Sequence, residues 1–236
     1  MDDPIFPRTS LCQQGFTLLE VATVLFLIAL LLGSMQLGND LINAGYIKGL
    51  VSDFQNVSRM INLYQDKFHV LPGDDAIAES HLGAIATHGN GNSVIEGNWY
   101  DEAATSETSR VWQHFRLAGL MGGGTDLAAP DYTPRTSLGT VMGLQAGNSD
   151  PEKSPIKDAH GSALTGSVIT CARRIPGKLV LRLDIKMDDG NPATGSMLAT
   201  LDTGFAYRPG AMPSTLGTQT LSDLQPDQLY IACVGG

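Results

Sequence analysis

The chain of 236 residues has a formal net charge of −9 and a pI of about 4.8, with 42% hydrophobic and 17% charged residues. Such an acidic chain lacks the basic surface with which proteins bind nucleic acid, so we expect no nucleic-acid partner. Glycine (27 residues) and proline (12) are abundant, and most of both lie beyond residue 70. This composition predicts a folded protein whose C-terminal part is rich in loops.

The most apolar stretch lies near the N-terminus, from Phe16 to Leu37. Its 22 residues would form a helix about 33 Å long, which matches a hydrocarbon core roughly 30 Å thick. Glu20 is the only ionisable residue in the stretch. We therefore predict a transmembrane helix over residues 16–37.

Two ordinary explanations compete for this apolar stretch. A secretory signal has a basic start and a small-x-small cleavage site after its apolar region. The residues before the stretch include Asp2, Asp3 and Arg8, and no Ala-x-Ala follows Leu32. These features disfavour a secretory signal, and a generic membrane anchor remains an alternative.

The residues at the start of the helix form a more specific pattern, Gly15-Phe16-Thr17-Leu18-Leu19-Glu20. Followed directly by about 20 apolar residues, it resembles the cleavage and methylation motif of type IV prepilins and type II secretion pseudopilins. The resemblance implies that residues 1–15 are a leader, that prepilin peptidase cuts after Gly15, and that the new amine of Phe16 is methylated. It also implies an assembly role for Glu20, whose carboxylate would pair with the N-terminal ammonium of a neighbouring subunit.

The resemblance further implies what the chain does and where it resides. It would be a structural subunit, a minor pilin or pseudopilin, whose partners are other such subunits, the prepilin peptidase and the inner-membrane assembly platform. It would cross the bacterial inner membrane once, with its head in the periplasm, and enter a periplasmic or cell-surface filament after assembly. The alternatives are a prepilin-anchored adhesin or ligand-binding head and, least favoured, a membrane-anchored periplasmic enzyme.

After residue 37 the pattern becomes amphipathic. Apolar residues recur at steps of three and four, as on one face of a helix: Ile47, Leu50, Val51, Phe54, Val57, Ile61, Tyr64 and Phe68. We predict one helix over residues 16–68, transmembrane over 16–37 and amphipathic over 38–68. The sequence Leu-Pro-Gly-Asp-Asp at residues 71–75 then ends it, and resembles the helix exit of pilin relatives.

Residues 69–236 are predicted to form an exported globular head of the α+β class. The resemblance implies a pilin-like fold, in which the long helix packs on an antiparallel sheet. We expect a variable loop over residues 76–105 and one extra helix over Thr108–Leu120. The predicted strands are Thr140–Leu144, Ser167–Arg173, Lys178–Met187, Met197–Leu201 and Gln228–Val234. Lys178–Met187 is assigned as a strand because its apolar residues alternate, although Leu179, Leu183 and Met187 also fit a helix face.

Three cysteines are present, Cys12 before the apolar stretch and Cys171 and Cys233 after it. The export that the resemblance implies would place the last two in an oxidising compartment. We therefore predict a disulfide between Cys171 and Cys233. Two unpaired buried thiols are the alternative.

The sequence contains no phosphate-binding loop, G-x-S-x-G, H-E-x-x-H or C-x-x-C motif, so we expect no enzyme. His81 and His88 lack ligand-like spacing and are expected to be ordinary surface residues. One acidic turn, with Asp188, Asp189 and Asn191, offers oxygen atoms that Ca²⁺ would accept. A solvated turn explains the same residues, and we expect no other metal or cofactor.

Overall fold

The structure is a computed structural model that describes residues 16–101, 105–204, 216–217 and 224–236, with only the backbone of residues 34–37 and 216–217. The chain divides into two compact units, with the boundary between Asn43 and Ala44. Helix α1, Leu18–Phe68, contributes to both units. Each unit is described by itself below.

The first unit consists, in its described part, of the N-terminal portion of α1 with Phe16 and Thr17 before it. Every residue from Phe16 to Gly33 is exposed. This confirms a long apolar N-terminal helix, which begins two residues later than the sequence predicted.

The second unit is an α+β domain built around the rest of α1. The side chains that α1 buries there lie three or four residues apart, as predicted, and form one face: Ile47, Leu50, Phe54, Val57, Ile61 and Tyr64. Helix α1 ends at Phe68, after which His69 takes the left-handed conformation with φ of 61°.

Among the described residues, this unit also contains three further helices and six strands. The helices are α2 (Ala78–Leu82), α3 (Glu107–Leu117) and α4 (Gly177–Met187), and the strands are β1 (Met142–Ala146), β2 (Ile156–Lys157), β3 (Val168–Pro176), β4 (Met197–Leu201), β5 (Leu216–Gly217) and β6 (Leu229–Gly235). An antiparallel sheet has the order β1-β3-β6-β4, and β2 and β5 form a two-residue parallel pair. The predicted α+β class with an antiparallel sheet is confirmed.

Both faces of the four-stranded sheet are buried. One face contributes Ala172, Met197 and Tyr230 to a core that also contains the buried residues of α1, α3 and α4. The other face contributes Ile169, Leu198 and both cysteines to a second core with Trp99 and Tyr100. The alternation of strand side chains therefore separates the helical layer from a layer of loops.

The prediction of a strand over Lys178–Met187 was wrong, because these residues belong to α4. Leu179, Val180 and Leu183 are buried together, whereas Ile185 is 58% exposed. Val180, which interrupts the apolar alternation, fits a helical face with Leu179 and Leu183. Leucine, lysine and arginine also favour helix over strand.

The expected extra helix is α3, which begins one residue earlier and ends three residues earlier than predicted. The helices α2 and α4 and the short strands β2 and β5 were not predicted. In the segment expected to be a variable loop, residues 102–104 lie outside the described residues. Elsewhere this segment forms α2, and several of its residues donate hydrogen bonds to the buried carboxylates of Asp74, Asp75 and Glu107.

Candidate functional site

The start of α1 is organised by Thr17. Its Oγ1 accepts a hydrogen bond from the Glu20 N–H (3.2 Å), which caps one of the free N–H groups of the first turn. The Thr23 hydroxyl donates to the carbonyl oxygen of Glu20 (3.0 Å). Thr17-x-x-Glu20 fits the sequence pattern of a capping box, and this spacing could have predicted the role of Thr17 that our sequence analysis missed.

Glu20 lies in the first turn of α1, where an acidic side chain interacts favourably with the helix dipole. Phe16, beside it in the sequence motif, is 82% exposed. Gly15 lies outside the described residues, so the structure shows only Phe16 of the two residues at the predicted cleavage site.

The residues of α1 from Val21 to Gly33 are all exposed, and all of them except Thr23 are apolar or glycine. The most hydrophobic 18-residue window of α1 has a mean hydropathy of 2.4, and within the described part of the chain none of that window is buried. This helix is long and apolar enough to cross a membrane. Soluble monomers rarely expose apolar patches beyond a few hundred Å², so such a surface is suited to contact lipid or other apolar helices.

The sheet places the two head cysteines directly opposite each other, Cys171 on β3 and Cys233 on β6. They form a disulfide, as predicted, with an S–S distance of 2.07 Å and both residues fully buried.

A network of buried polar side chains fixes the chain where it leaves α1. Asp75 Oδ2 accepts hydrogen bonds from the Tyr64 hydroxyl (2.8 Å) and from His81 Nδ1 (2.6 Å), and Asp75 Oδ1 accepts one from the Ile77 N–H. Burial alone would raise the pKa of Asp75, but these hydrogen bonds outweigh it and hold the pKa below its usual value. His81, expected to be an ordinary surface residue, is therefore partly buried and paired, because the helix exit brings Asp75 beside it.

His114 extends this network. Its Nδ1 accepts the Gly73 N–H (2.9 Å), so Nε2 carries the proton and donates to the carbonyl oxygen of Thr87 (2.8 Å). Burial lowers the pKa of His114, which favours the neutral form of the ring that the Gly73 hydrogen bond requires. The Tyr64 hydroxyl lies 3.4 Å from His114 Nδ1, so Tyr64, Asp75 and His114 together hold the helix exit in place.

Two buried carboxylates organise the segment before α3. Asp74 accepts the N–H groups of Gly91, Asn92 and Ser93, at 2.6–3.0 Å. Glu107 accepts those of Asn90 and Glu96, at 2.9 and 3.0 Å. Each carboxylate replaces the regular backbone partners that this irregular segment lacks.

The acidic turn considered for Ca²⁺ follows α4. Asp188 Oδ2 accepts the N–H groups of Ser196 and Met197, and Asp189 Oδ1 accepts that of Asn191. Asn191 Oδ1 in turn accepts the N–H of Ala193 (3.3 Å). The turn thus uses these side chains to shape its own backbone.

A third carboxylate, which the sequence analysis did not single out, lies beside this turn. Asp184 is on the last turns of α4, and ligand atoms of Asp184, Asp188 and Asp189 lie within 4.8 Å of one another. Two full negative charges at this distance repel by about 3 kcal/mol at an effective dielectric of about 20. The pKa of Asp184 is raised to about 7, chiefly by burial; a hydrogen bond from the Gly190 N–H acts in the opposite direction, and the charges of Asp189 and Asp188 add to the rise.

No protein-family model, curated protein or solved structure matches this chain.

Proposed function

We propose that the chain is a structural subunit, a minor pilin or pseudopilin, of a type IV pilus or a type II secretion pseudopilus. Prepilin peptidase would remove residues 1–15, and the N-terminal helix would then carry the subunit from the bacterial inner membrane into a filament. Its partners would be other subunits and the inner-membrane assembly platform, with the head held in the periplasm.

The observation that carries this proposal is the apolar helix surface from Phe16 to Gly33, which is exposed throughout and which no described residue covers. Burying one leucine side chain is worth about 1.5–3 kcal/mol, so a surface with this many leucines must be placed in lipid or against other helices. A helix that moves from membrane to filament meets both environments. The motif before it, with Gly15 and Phe16, supports this use over a generic anchor.

Glu20 supports the proposal further, because a lone carboxylate in such a helix is costly in lipid unless it is paired. A neighbouring N-terminal ammonium at about 4 Å would contribute roughly 4 kcal/mol at an effective dielectric of about 20. Only one axial offset between neighbouring helices brings these charges together. The pair would therefore select the register of assembly.

Processing is tested by expressing the full chain in bacteria together with a prepilin peptidase and determining the mature N-terminus by mass spectrometry. We expect a chain that begins at Phe16 and carries one added methyl group. Gly15→Leu should remain uncleaved. Gly33→Ala serves as the control, since a methyl group there meets no atom within 4 Å. Retention of Cys12 in protein from the filament fraction would refute the proposed processing.

Assembly is tested with Glu20→Ala and the isosteric Glu20→Gln in a strain that supplies the other subunits. Both variants should be cleaved and inserted in the membrane as the wild type is, because the helix becomes more apolar. Both should lose incorporation into sheared filaments, whereas Glu20→Asp, which keeps the charge, should retain part of it. Incorporation of Glu20→Gln at the wild-type level would show that the charge pair does not set the register.

A further inference from the structure

A groove lies between α1 and α4, within the second unit. Three apolar residues of α1 line it, Ala44, Ile47 and Val51, and Ile185 of α4 contributes a fourth. The volume of the groove is about 490 Å³, which is within the range of pockets that hold small ligands. Ile185 is 58% exposed although it is a large aliphatic residue. The groove therefore presents apolar surface that no described residue covers.

The same groove is positively charged. Its other lining residues are Lys48 of α1 and Arg182 and Lys186 of α4, and all three are exposed. No acidic residue is among the described residues that line it, although the chain as a whole has 24 acidic and 15 basic residues. Long basic side chains can lay their methylene groups along an apolar surface while their charged ends stay in water. These seven lining residues form what we call the α1–α4 groove, an apolar surface with a cationic edge.

We propose that the α1–α4 groove binds one anionic phospholipid of the membrane that the N-terminal helix crosses. The lipid phosphate would interact with Lys48, Arg182 and Lys186, and the first part of an acyl chain would contact Ile47 and Ile185. An inorganic anion would leave the apolar surface uncovered, and a neutral lipid would gain nothing from the cationic edge. Basic pockets beside membrane-spanning helices are known to recognise anionic headgroups in this way.

The position of the groove in the chain favours a membrane lipid over a soluble ligand. Ala44 follows Leu37, the last residue of the predicted transmembrane stretch, by seven positions. Seven residues span about 10 Å in a helix and at most about 25 Å when fully extended. The headgroup region on each side of the hydrocarbon core is roughly 5–7 Å thick. The groove is therefore tethered close to the headgroups if α1 crosses the membrane, and on that one point this inference rests on the proposed function.

The test measures lipid binding to the full chain in a neutral detergent by native mass spectrometry, with added phosphatidylglycerol or phosphatidylcholine. We expect one phosphatidylglycerol per chain, bound about tenfold or more tightly than phosphatidylcholine. Lys48→Gln/Lys186→Gln should weaken phosphatidylglycerol binding by about tenfold or more, because it removes two of the three cations at the headgroup. Ile185→Gln, at an exposed helix position where glutamine is well tolerated, should weaken it by about tenfold through loss of the apolar contact.

Lys178→Gln is the matched control, because Lys178 is exposed on the same helix but does not line the groove. It should bind phosphatidylglycerol as the wild type does. All these variants leave residues 16–37 unchanged, so lipid held by the apolar helix surface is the same in each. The differences between the variants therefore report the groove alone.

Three results would overturn the proposal. The first is equal binding of the two lipids by the wild type, and the second is undiminished phosphatidylglycerol binding by either Lys48→Gln/Lys186→Gln or Ile185→Gln. The third is a dimer of the chain that these variants abolish while lipid binding stays the same, since the groove would then hold a second copy. The measurement in detergent needs neither leader cleavage nor filament assembly, so its failure is distinct from a failure of the proposed function.

Discussion

Opening the disulfide between Cys171 and Cys233 should destabilise the head strongly. The bond joins directly opposed residues on the two central strands, and both residues are fully buried. They are 62 positions apart in the sequence. Reduction therefore releases a long loop in the unfolded chain while it leaves the native strand pairing in place.

The size of the effect follows from this loop length. On the chain-entropy model, closing a loop of this length stabilises the native state by about 4 kcal/mol. Typical domains have a free energy of unfolding of about 5–15 kcal/mol, so the bond supplies a large share. For a domain of about 150–250 residues, 4 kcal/mol corresponds to a shift of roughly 8–16 °C in the thermal midpoint.

The assay compares thermal and guanidinium unfolding of the oxidised wild type, the reduced wild type and the double variant Cys171→Ala/Cys233→Ala. Circular dichroism follows unfolding, and Cys12→Ala serves as the control that leaves the bond intact. Alkylation of the denatured, unreduced chain should label Cys12 alone, and no cysteine after removal of the leader. Equal midpoints for oxidised and reduced protein would refute the entropic argument, and two labelled head cysteines would refute the bond itself.

Two further predictions concern buried ionic contacts. Because the pKa of Asp75 is lowered, its carboxylate contributes stability that is present above its unfolded pKa of about 4 and is lost as the pH falls through the lower folded value. The stability difference between wild type and Asp75→Asn, measured by denaturant unfolding, should therefore shrink from pH 7 to pH 3, and a constant difference would contradict this. Arg173 and Asp202 form a buried two-bond ion pair at 3.1 and 2.8 Å, so Asp202→Ala should cost about 3–5 kcal/mol. In the same unfolding assay Arg173→Met/Asp202→Leu should cost less, and an equal or larger loss would contradict the unpaired-charge explanation.

The parts of the fold that the sequence predicted are those with a clear period. The buried face of α1 follows from apolar residues at steps of three and four. Strand β4 was predicted at its observed bounds, and β3 and β6 within a few residues. Two cysteines after the apolar stretch, with the export that the resemblance implies, were enough to predict the disulfide. The helix and the strands depend on local pattern, which one sequence contains, and the disulfide prediction depended on the resemblance.

The organisation of the segment after α1 could not be predicted in this way. Leu-Pro-Gly-Asp-Asp at residues 71–75 marks the end of a helix, but nothing local shows which groups the two carboxylates bind. The N–H groups that donate hydrogen bonds to Asp74 lie 17 to 19 positions later in the sequence. The Tyr64 hydroxyl, which donates a hydrogen bond to Asp75, lies 11 positions earlier in the sequence, within α1. Tertiary packing determines hydrogen-bond partners that are this far apart in the sequence. The spacing of apolar residues contains no information about such partners.

The error over residues 178–187 had a consequence for the candidate metal site. In a strand, Asp184 would belong to the polar face that alternates with the leucines. A carboxylate on that face is expected to be an ordinary solvent-exposed residue. In a helix, the same residue follows Leu183 into the buried face and lies one turn before Asp188. The spacing Asp184-x-x-x-Asp188-Asp189 then places three carboxylates at one helix end. The choice between the two periods therefore decides whether the sequence places Asp184 in solvent or in the core beside two other carboxylates.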